Sequence, residues 1–150
     1  MTRPGLLIGA ATIIVVASLW YVQAPPRSPG GYRDRVSASA ETLRSQVQTA
    51  RLTIRAVRSG DSTHPAASVS LKEAEEDADK AAAAFAGYDP PRGTSDLRSD
   101  LTTLGDEVTS ALSDLRIAAA RGEWQSLPQV AAPLPKLSER LDQLARRAGS

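Results

Sequence analysis

The chain of 150 residues has no cysteine, a single histidine, and only one Phe, two Trp and three Tyr. Without cysteine it can form neither a disulfide framework nor a thiolate metal site, and it is compatible with either side of a membrane. The one histidine, His64, precedes Pro65 in a polar segment, where we expect a solvated loop residue. It is also the only imidazole available as a base, so nucleophilic catalysis by a serine is poorly supported.

Motifs for catalysis or cofactor binding are also missing. No serine lies in a G-x-S-x-G elbow, and the glycines belong to no Walker or Rossmann pattern. A di-iron site in a helical bundle needs two Glu-x-x-His motifs, and haem needs an axial ligand from a core face. Nucleic acid is disfavoured by the net charge of +1 and by the few aromatic rings. We therefore expect no enzyme activity, cofactor, metal ion or nucleic-acid partner.

The most informative feature that is present is an uncharged stretch near the start. Residues 5–22 read GLLIGAATIIVVASLWYV, and nine of these eighteen residues are Leu, Ile or Val. As a helix the stretch would be about 27 Å long, slightly less than the roughly 30 Å hydrocarbon core of a bilayer. We predict a single transmembrane signal anchor here, after a short tail of residues 1–4. The predicted membrane contacts are Leu6, Leu7, Ile8, Ile13, Ile14, Val15, Val16, Leu19, Trp20 and Tyr21.

The rival interpretation of this stretch is a cleaved signal peptide, with Val22-Gln23-Ala24 as the cleavage site. Against it, the stretch exceeds the apolar core of about 7 to 15 residues usual in signal peptides, and Pro25 would follow the cut. We therefore expect a single-pass protein of the cell membrane with an extracytoplasmic C-terminal domain, and secretion after cleavage is the alternative. The basic residues that flank the stretch slightly favour the opposite orientation, in which the C-terminal side stays in the cytoplasm. The abundance of arginine and alanine resembles the composition of proteins from GC-rich bacteria, which suggests a protein of a bacterial cell envelope.

The remainder divides into a spacer and one domain. Residues 23–31, QAPPRSPGG, contain three prolines and two glycines without apolar periodicity, which predicts a semi-extended spacer. Over residues 32–150, apolar residues recur at alternating steps of three and four, as in helix bundles and coiled coils. The first such series comprises Val36, Ala40, Leu43, Val47, Ala50, Ile54 and Val57 and stops at Gly60.

The spacing predicts four segments of helix and their ends. The expected ranges are 33–59, 65–87 or 70–87, 95–122 and 135–150, with a short helix or turn over 123–132. Gly105 inside the third range costs about 1 kcal/mol relative to alanine. Because short loops join consecutive segments, we predict an all-α fold: an N-terminal transmembrane helix followed by an antiparallel up-down-up-down bundle of three to four helices.

Charge is distributed unevenly between the first two predicted helices. Residues 31–60 contain six arginines and two acidic residues, net +4, whereas residues 61–90 contain seven acidic residues and two lysines, net −5. One interpretation is that complementary faces pair the two helices. The other is an acidic surface that binds a protein partner. Divalent cations are a weaker third option, because a helix surface cannot wrap carboxylates around Ca²⁺.

The candidate partner surface comprises Glu73, Glu76, Asp77 and Trp124. Trp124 follows a helix-terminating glycine, so it either anchors the core at one end of the bundle or forms an exposed aromatic contact beside the proline-rich segment. These features predict a membrane-anchored helical-bundle interaction protein, an accessory, scaffold or sensor-like component that binds a protein partner or itself. The alternative is a secreted or anchored bundle that binds a small apolar ligand between its helices near Trp124.

The anchor makes a direct prediction for cell fractionation. The full-length chain should stay with membranes through an alkaline carbonate wash, and its measured mass should include residues 1–24. Ile14→Arg should release the protein from the membrane fraction, because arginine at the centre of a membrane helix costs about 2.5–3.5 kcal/mol. A mature chain that begins at Pro25 and is recovered from the medium would show that the stretch is a signal peptide.

Overall fold

The computed structural model describes residues 28–150, which form five helices. They are α1 (Pro29–Ser59), α2 (His64–Ala86), α3 (Ser95–Ala120), α4 (Leu127–Val130) and α5 (Leu134–Gly149). Helix α4 is a single turn, and the other four pack into a bundle. The prediction of an all-helical bundle is confirmed for this part of the chain, which contains no strand.

The predicted anchor over residues 5–22 and most of the predicted spacer lie outside the described residues. Between residues 28 and 150, no helix has both the length and the apolar character needed to cross a bilayer.

Helix α1 begins at Pro29, four residues earlier than the spacing predicted. Ser28 is extended and its hydroxyl accepts a hydrogen bond from the Gly31 amide at 3.2 Å, while Pro29 takes the first helical position. Serine at the N-cap followed by proline is a strong start signal, because the proline needs no amide donor there. Residues 29–31 therefore belong to the helix, and the sequence prediction that they were spacer is wrong.

The turn between α1 and α2 follows the predicted glycine signal. Gly60 has φ of 80°, a left-handed conformation that favours glycine, and the Asp61 amide donates back to the Ala56 carbonyl at 2.8 Å. Thr63 then caps α2, which begins at His64. Of the two predicted starts for this helix, the earlier one matches the structure. His64 is exposed, as expected, but it belongs to the first turn of a helix and not to a loop.

The apolar spacing of the sequence corresponds to the buried core. Six of the seven predicted positions in α1 are at most 6% exposed, and Val57 is half-buried. In α5 the buried set includes four leucines at the same three-four spacing, namely Leu134, Leu137, Leu141 and Leu144. Burial of such side chains is the main favourable term in folding, because each removes apolar surface from water.

Contacts between named residues show that neighbouring helices run antiparallel. Along the α1–α5 interface, Arg44 meets Asp142 and, one turn further along α1, Gln48 meets Ser138, one turn back along α5. Helix α1 packs against α2 and α5, α3 packs against the same two, and α1 also contacts α3 across the bundle. The beginnings of α1 and α3 therefore share one end, the proximal end. The α1–α2 turn and α4 share the other, the distal end.

An aromatic cluster closes the proximal end. Tyr32 lies 5.3 Å from Phe85 between ring centroids, Phe85 lies 6.4 Å from Tyr88, and the Arg35 guanidinium lies 4.7 Å from the Tyr88 ring centroid. The Tyr32 hydroxyl is buried and has no hydrogen-bond partner within residues 28–150. Burial raises the pKa of Tyr32, and the nearby positive charge of Arg98 partly opposes that shift.

The interior at Gly105 has room for one methyl group. A Cβ added there would lie 3.4 Å from the Ala82 Cβ and 3.9 Å from the Leu43 Cδ1, which are ordinary van der Waals separations. We expect Gly105→Ala to raise the free energy of unfolding by about 0.5–1 kcal/mol, because glycine is a poor helix former. Gly105→Leu should lower it by about 1–3 kcal/mol through overpacking.

Urea unfolding followed by helical circular dichroism measures both effects. Gly149→Ala is the control, because nothing lies within 4 Å of its added Cβ and the residue ends α5. A loss of stability in Gly105→Ala would contradict the described packing of α3 on α2.

Candidate interaction site

The α1–α5 interface changes character along its length. Arg44 donates to the Asp142 carboxylate at 3.1 Å, and the Gln48 amide donates to the Ser138 hydroxyl at 3.0 Å. Toward the distal end, the interface reaches the start of α5 at Leu134 and then the segment that precedes α5. The residues near Arg51, Arg55 and Arg58 on this side of the interface are Pro128 of α4, Ala131 of the turn that follows it, and Pro135 of α5.

These residues line an open groove of about 430 Å³, which we call the arginine groove. Ile54, only 6% exposed, supplies an apolar floor next to the three guanidinium groups. The two prolines carry no amide hydrogen, so the wall opposite α1 offers few donors. The complete lining is Arg51, Ile54, Arg55, Arg58, Ser59, Pro128, Ala131 and Pro135.

The arginines of this groove are not neutralised by carboxylates. Arg51 donates to the neutral side-chain carbonyl of Gln48 at 3.2 Å, and within residues 28–150 neither Arg55 nor Arg58 has an ion-pair partner. One carboxylate reaches the rim, where Asp61 accepts a hydrogen bond from the Ser59 hydroxyl at 2.5 Å. Three positive charges and one negative charge leave the groove with a formal charge of +2.

Helical geometry explains the alignment of the three arginines. Positions four and three residues apart lie on one face of a helix, so Arg51, Arg55 and Arg58 form a row about 10 Å long. These residues contribute to the net charge predicted for the first helix, but none of them belongs to the candidate surface predicted from the sequence. The signal was present in their spacing. Their position opposite the proline-rich segment could not be read from the sequence.

Trp124 and His64 form a stacked pair at the distal end. Their ring centroids are 4.1 Å apart and their planes differ by 3°. Trp124 is half-buried and packs against the core, whereas His64 is exposed. One part of the indole thus contacts the core at this end of the bundle, and His64 covers another part.

Two of the exposed acidic residues of α2 pair with lysines of the same helix. Glu73, Glu76 and Asp77 are exposed on α2. Lys72 approaches Glu76 at 3.5 Å and Lys80 approaches Asp77 at 2.9 Å, both on the same helix. The hydrogen bond from Lys80 to Asp77 raises the pKa of Lys80. These two acids are thus partly neutralised within α2.

Ion pairs between helices also differ from the expected pairing of α1 with α2. Glu75 of α2 pairs with Arg116 of α3, and Arg44 of α1 pairs with Asp142 of α5. Two further pairs, Glu107 with Arg140 and Asp100 with Arg147, join α3 to α5. Each of the first two helices therefore contributes one ion pair to a neighbouring helix, and in both cases the partner belongs to α3 or α5.

Exposed apolar side chains lie near the same end as the arginine groove. Leu52 is 58% exposed and Val69 is 55% exposed, and they are the large hydrophobic residues most open to solvent among residues 28–150. Leu52 belongs to the last third of α1 and Val69 to the first third of α2. Single exposed hydrophobic residues are common on proteins, but here two lie toward the same end of the bundle as an uncompensated basic groove, and protein interfaces often combine apolar and arginine side chains.

A second, smaller cavity lies between α1, α2 and α3. Its volume is about 200 Å³, and its lining combines core residues such as Leu43, Phe85 and Leu101 with alanines of α2. Pockets for small organic ligands usually measure about 300–1,000 Å³, so this cavity is small for such a ligand.

Comparisons of the chain with protein-family models, with curated proteins and with solved structures find no match. Within residues 28–150, no group of three or more His, Asp or Glu side chains is arranged to hold a metal ion. What the distal end can bind must therefore be inferred from the chemistry of its own side chains.

The stack of His64 on Trp124 predicts a measurable contribution to stability. Aromatic pairs contribute about 0.5–1.5 kcal/mol beyond their buried area, so His64→Ala should lower the free energy of unfolding by about that amount. The emission of Trp124, recorded in a Trp20→Phe background, should shift to longer wavelength as the indole becomes hydrated. His64→Phe keeps a ring over the indole and should preserve both properties. Unchanged emission in His64→Ala would contradict the stack.

Proposed function

We propose that this chain is a membrane-anchored helical-bundle protein of a bacterial cell envelope that works by binding another protein. Its role would be that of an accessory, scaffold or sensor-like component, without catalysis. Residues 5–22 would hold the chain in the membrane as a single-pass anchor. The bundle would lie on the extracytoplasmic side and present its distal end to the partner.

The observation that carries this proposal is the concentration of binding features at the distal end. The arginine groove, the exposed Leu52 and Val69, and the stacked Trp124 all belong to that end. Arginine and aromatic residues contribute disproportionately to binding energy at protein interfaces. The opposite end of the bundle, by contrast, contains the ion pairs Asp100–Arg147 and Arg98–Asp89.

The geometry of α1 fits this arrangement. Its 31 residues span about 46 Å, and it begins shortly after the predicted anchor. A bundle attached through the beginning of α1 would hold its distal end several nanometres from the lipid surface. Such a position suits contact with another envelope protein.

The alternative, binding of a small apolar ligand between the helices, receives less support. The interior cavity is small, and the larger groove is open and lined by three arginines. An apolar ligand would leave those charges without partners, and it would gain only the contact with Ile54 and the prolines.

Site-specific photocrosslinking tests the proposed function. A benzoylphenylalanine residue placed at Leu52 or Val69 of the full-length chain in its native membrane should give a discrete protein adduct. The same residue at Ser99, which is exposed near the beginning of α3, should not. An adduct of twice the chain's mass would identify a second copy as the partner.

Two outcomes would contradict the proposal. One is the absence of any reproducible adduct from both distal positions. The other is an equal adduct yield from Ser99, which would indicate collisions without a preferred surface.

A further inference from the structure

We infer that the arginine groove binds an extended acidic segment of the protein partner, one in which carboxylates alternate with apolar side chains. This inference rests on the proposed function and specifies the chemistry that the partner must supply. It goes beyond the acidic surface predicted from the sequence, because here the chain contributes the positive charge and the partner the negative charge.

The first argument is charge complementarity. The groove carries a formal charge of +2, because three arginines line it and the one carboxylate at its rim, that of Asp61, accepts a hydrogen bond from Ser59. Guanidinium groups bind carboxylates through paired, charge-assisted hydrogen bonds. Arg55 and Arg58 make no ion pair within residues 28–150, so their donors are available to a ligand.

The second argument is the apolar side of the same groove. Ile54 forms the floor, and Pro128 and Pro135 form the wall opposite the arginines. A ligand that offered only charge would leave this surface uncovered. In an extended chain, successive side chains point to opposite sides, and every second residue lies about 6.6 Å further on. That repeat is close to the rise of about 6 Å between Arg51 and Arg55.

Other occupants fit the groove less well. Residues 1–27 of the same chain contain two arginines and no acidic residue, so they cannot neutralise it. Lipid headgroups next to the predicted anchor would be remote, because Arg51 lies about 33 Å along α1 from Pro29. Nucleic acid usually requires a longer basic surface with aromatic stacking, whereas this row of charge is about 10 Å long.

The experiment uses the full-length chain in nanodiscs of neutral phosphatidylcholine. Fluorescence anisotropy measures the binding of a labelled heptapeptide, LELELEL, and of its uncharged counterpart, LQLQLQL. We expect the acidic peptide to bind more tightly, and we expect added salt to weaken its binding because the charges are partly exposed.

Variants locate the binding. Arg55→Gln with Arg58→Gln should weaken binding of the acidic peptide about tenfold, as expected for the loss of two partly exposed charge pairs. Arg33→Gln with Arg92→Gln removes the same charge from exposed residues outside the groove and should change binding less than twofold. Ala131→Glu places a carboxylate in the groove that Arg55 also lines and should block the peptide. Helical circular dichroism checks that each variant remains folded.

Several outcomes would overturn the inference. Equal binding of the two peptides would exclude carboxylate recognition, and equal weakening by the two double variants would exclude the groove. Stronger competition by an oligothymidylate of equal charge, or by phosphatidylglycerol vesicles, would assign the groove to nucleic acid or to lipid. A dimer in sedimentation that dissociates in Arg55→Gln with Arg58→Gln would assign it to a second copy of the chain.

Failure of this inference can be distinguished from failure of the proposed function. If photocrosslinks from Leu52 persist while the acidic peptide fails to bind, the protein partner remains and only its proposed chemistry is wrong. If the peptide binds and the crosslinks are absent, the groove recognises carboxylates but the proposed protein partner is wrong.

Discussion

Burial of one side of α1 is the interaction on which the rest of the structure depends. This helix contacts α2, α3 and α5, and its side chains from Val36 to Ile54 at the three-four spacing are almost fully buried. The chain has no disulfide, so the removal of this apolar surface from water is the main favourable contribution to folding. Alanines 40 and 50 allow the neighbouring backbones to approach closely. The cavity between α1, α2 and α3 is correspondingly small, at about 200 Å³.

The burial of α1 also determines where its charges lie. With one side of the helix in the core, its arginines must lie at the edges of the interfaces with α2 and α5. Arg44 meets an aspartate across the α5 edge, but the prolines that precede and begin α5 leave no acidic residue opposite the last two turns of α1. The arginine groove thus follows from two simple facts: a regular row of arginines and an interrupted neighbouring helix.

Much of the fold could be predicted from the sequence because apolar periodicity records which side of each helix is buried. Helix α1 starts earlier than the sequence predicts, because Ser28 caps it and Pro29 begins it, and glycine is tolerated in a first turn that is well capped. Charge pairing was harder to predict. Glu75 pairs with Arg116 and Arg44 with Asp142, which depends on the three-dimensional neighbours of each helix and not on net charge. The stack of His64 on Trp124 joins residues that are far apart in the sequence and was missed for the same reason.

The buried hydroxyl of Tyr32 has a consequence for the behaviour of the bundle in alkali. Because burial raises the pKa of Tyr32, the folded chain retains the phenolic proton at a pH where the unfolded chain has released it. The contribution of this group to stability is complete below about pH 10 and declines as the pH rises above that value. Tyr32 lies in the first turn of α1, where the domain joins the preceding segment. Strong base therefore weakens the proximal end of the bundle, which is the end remote from the arginine groove.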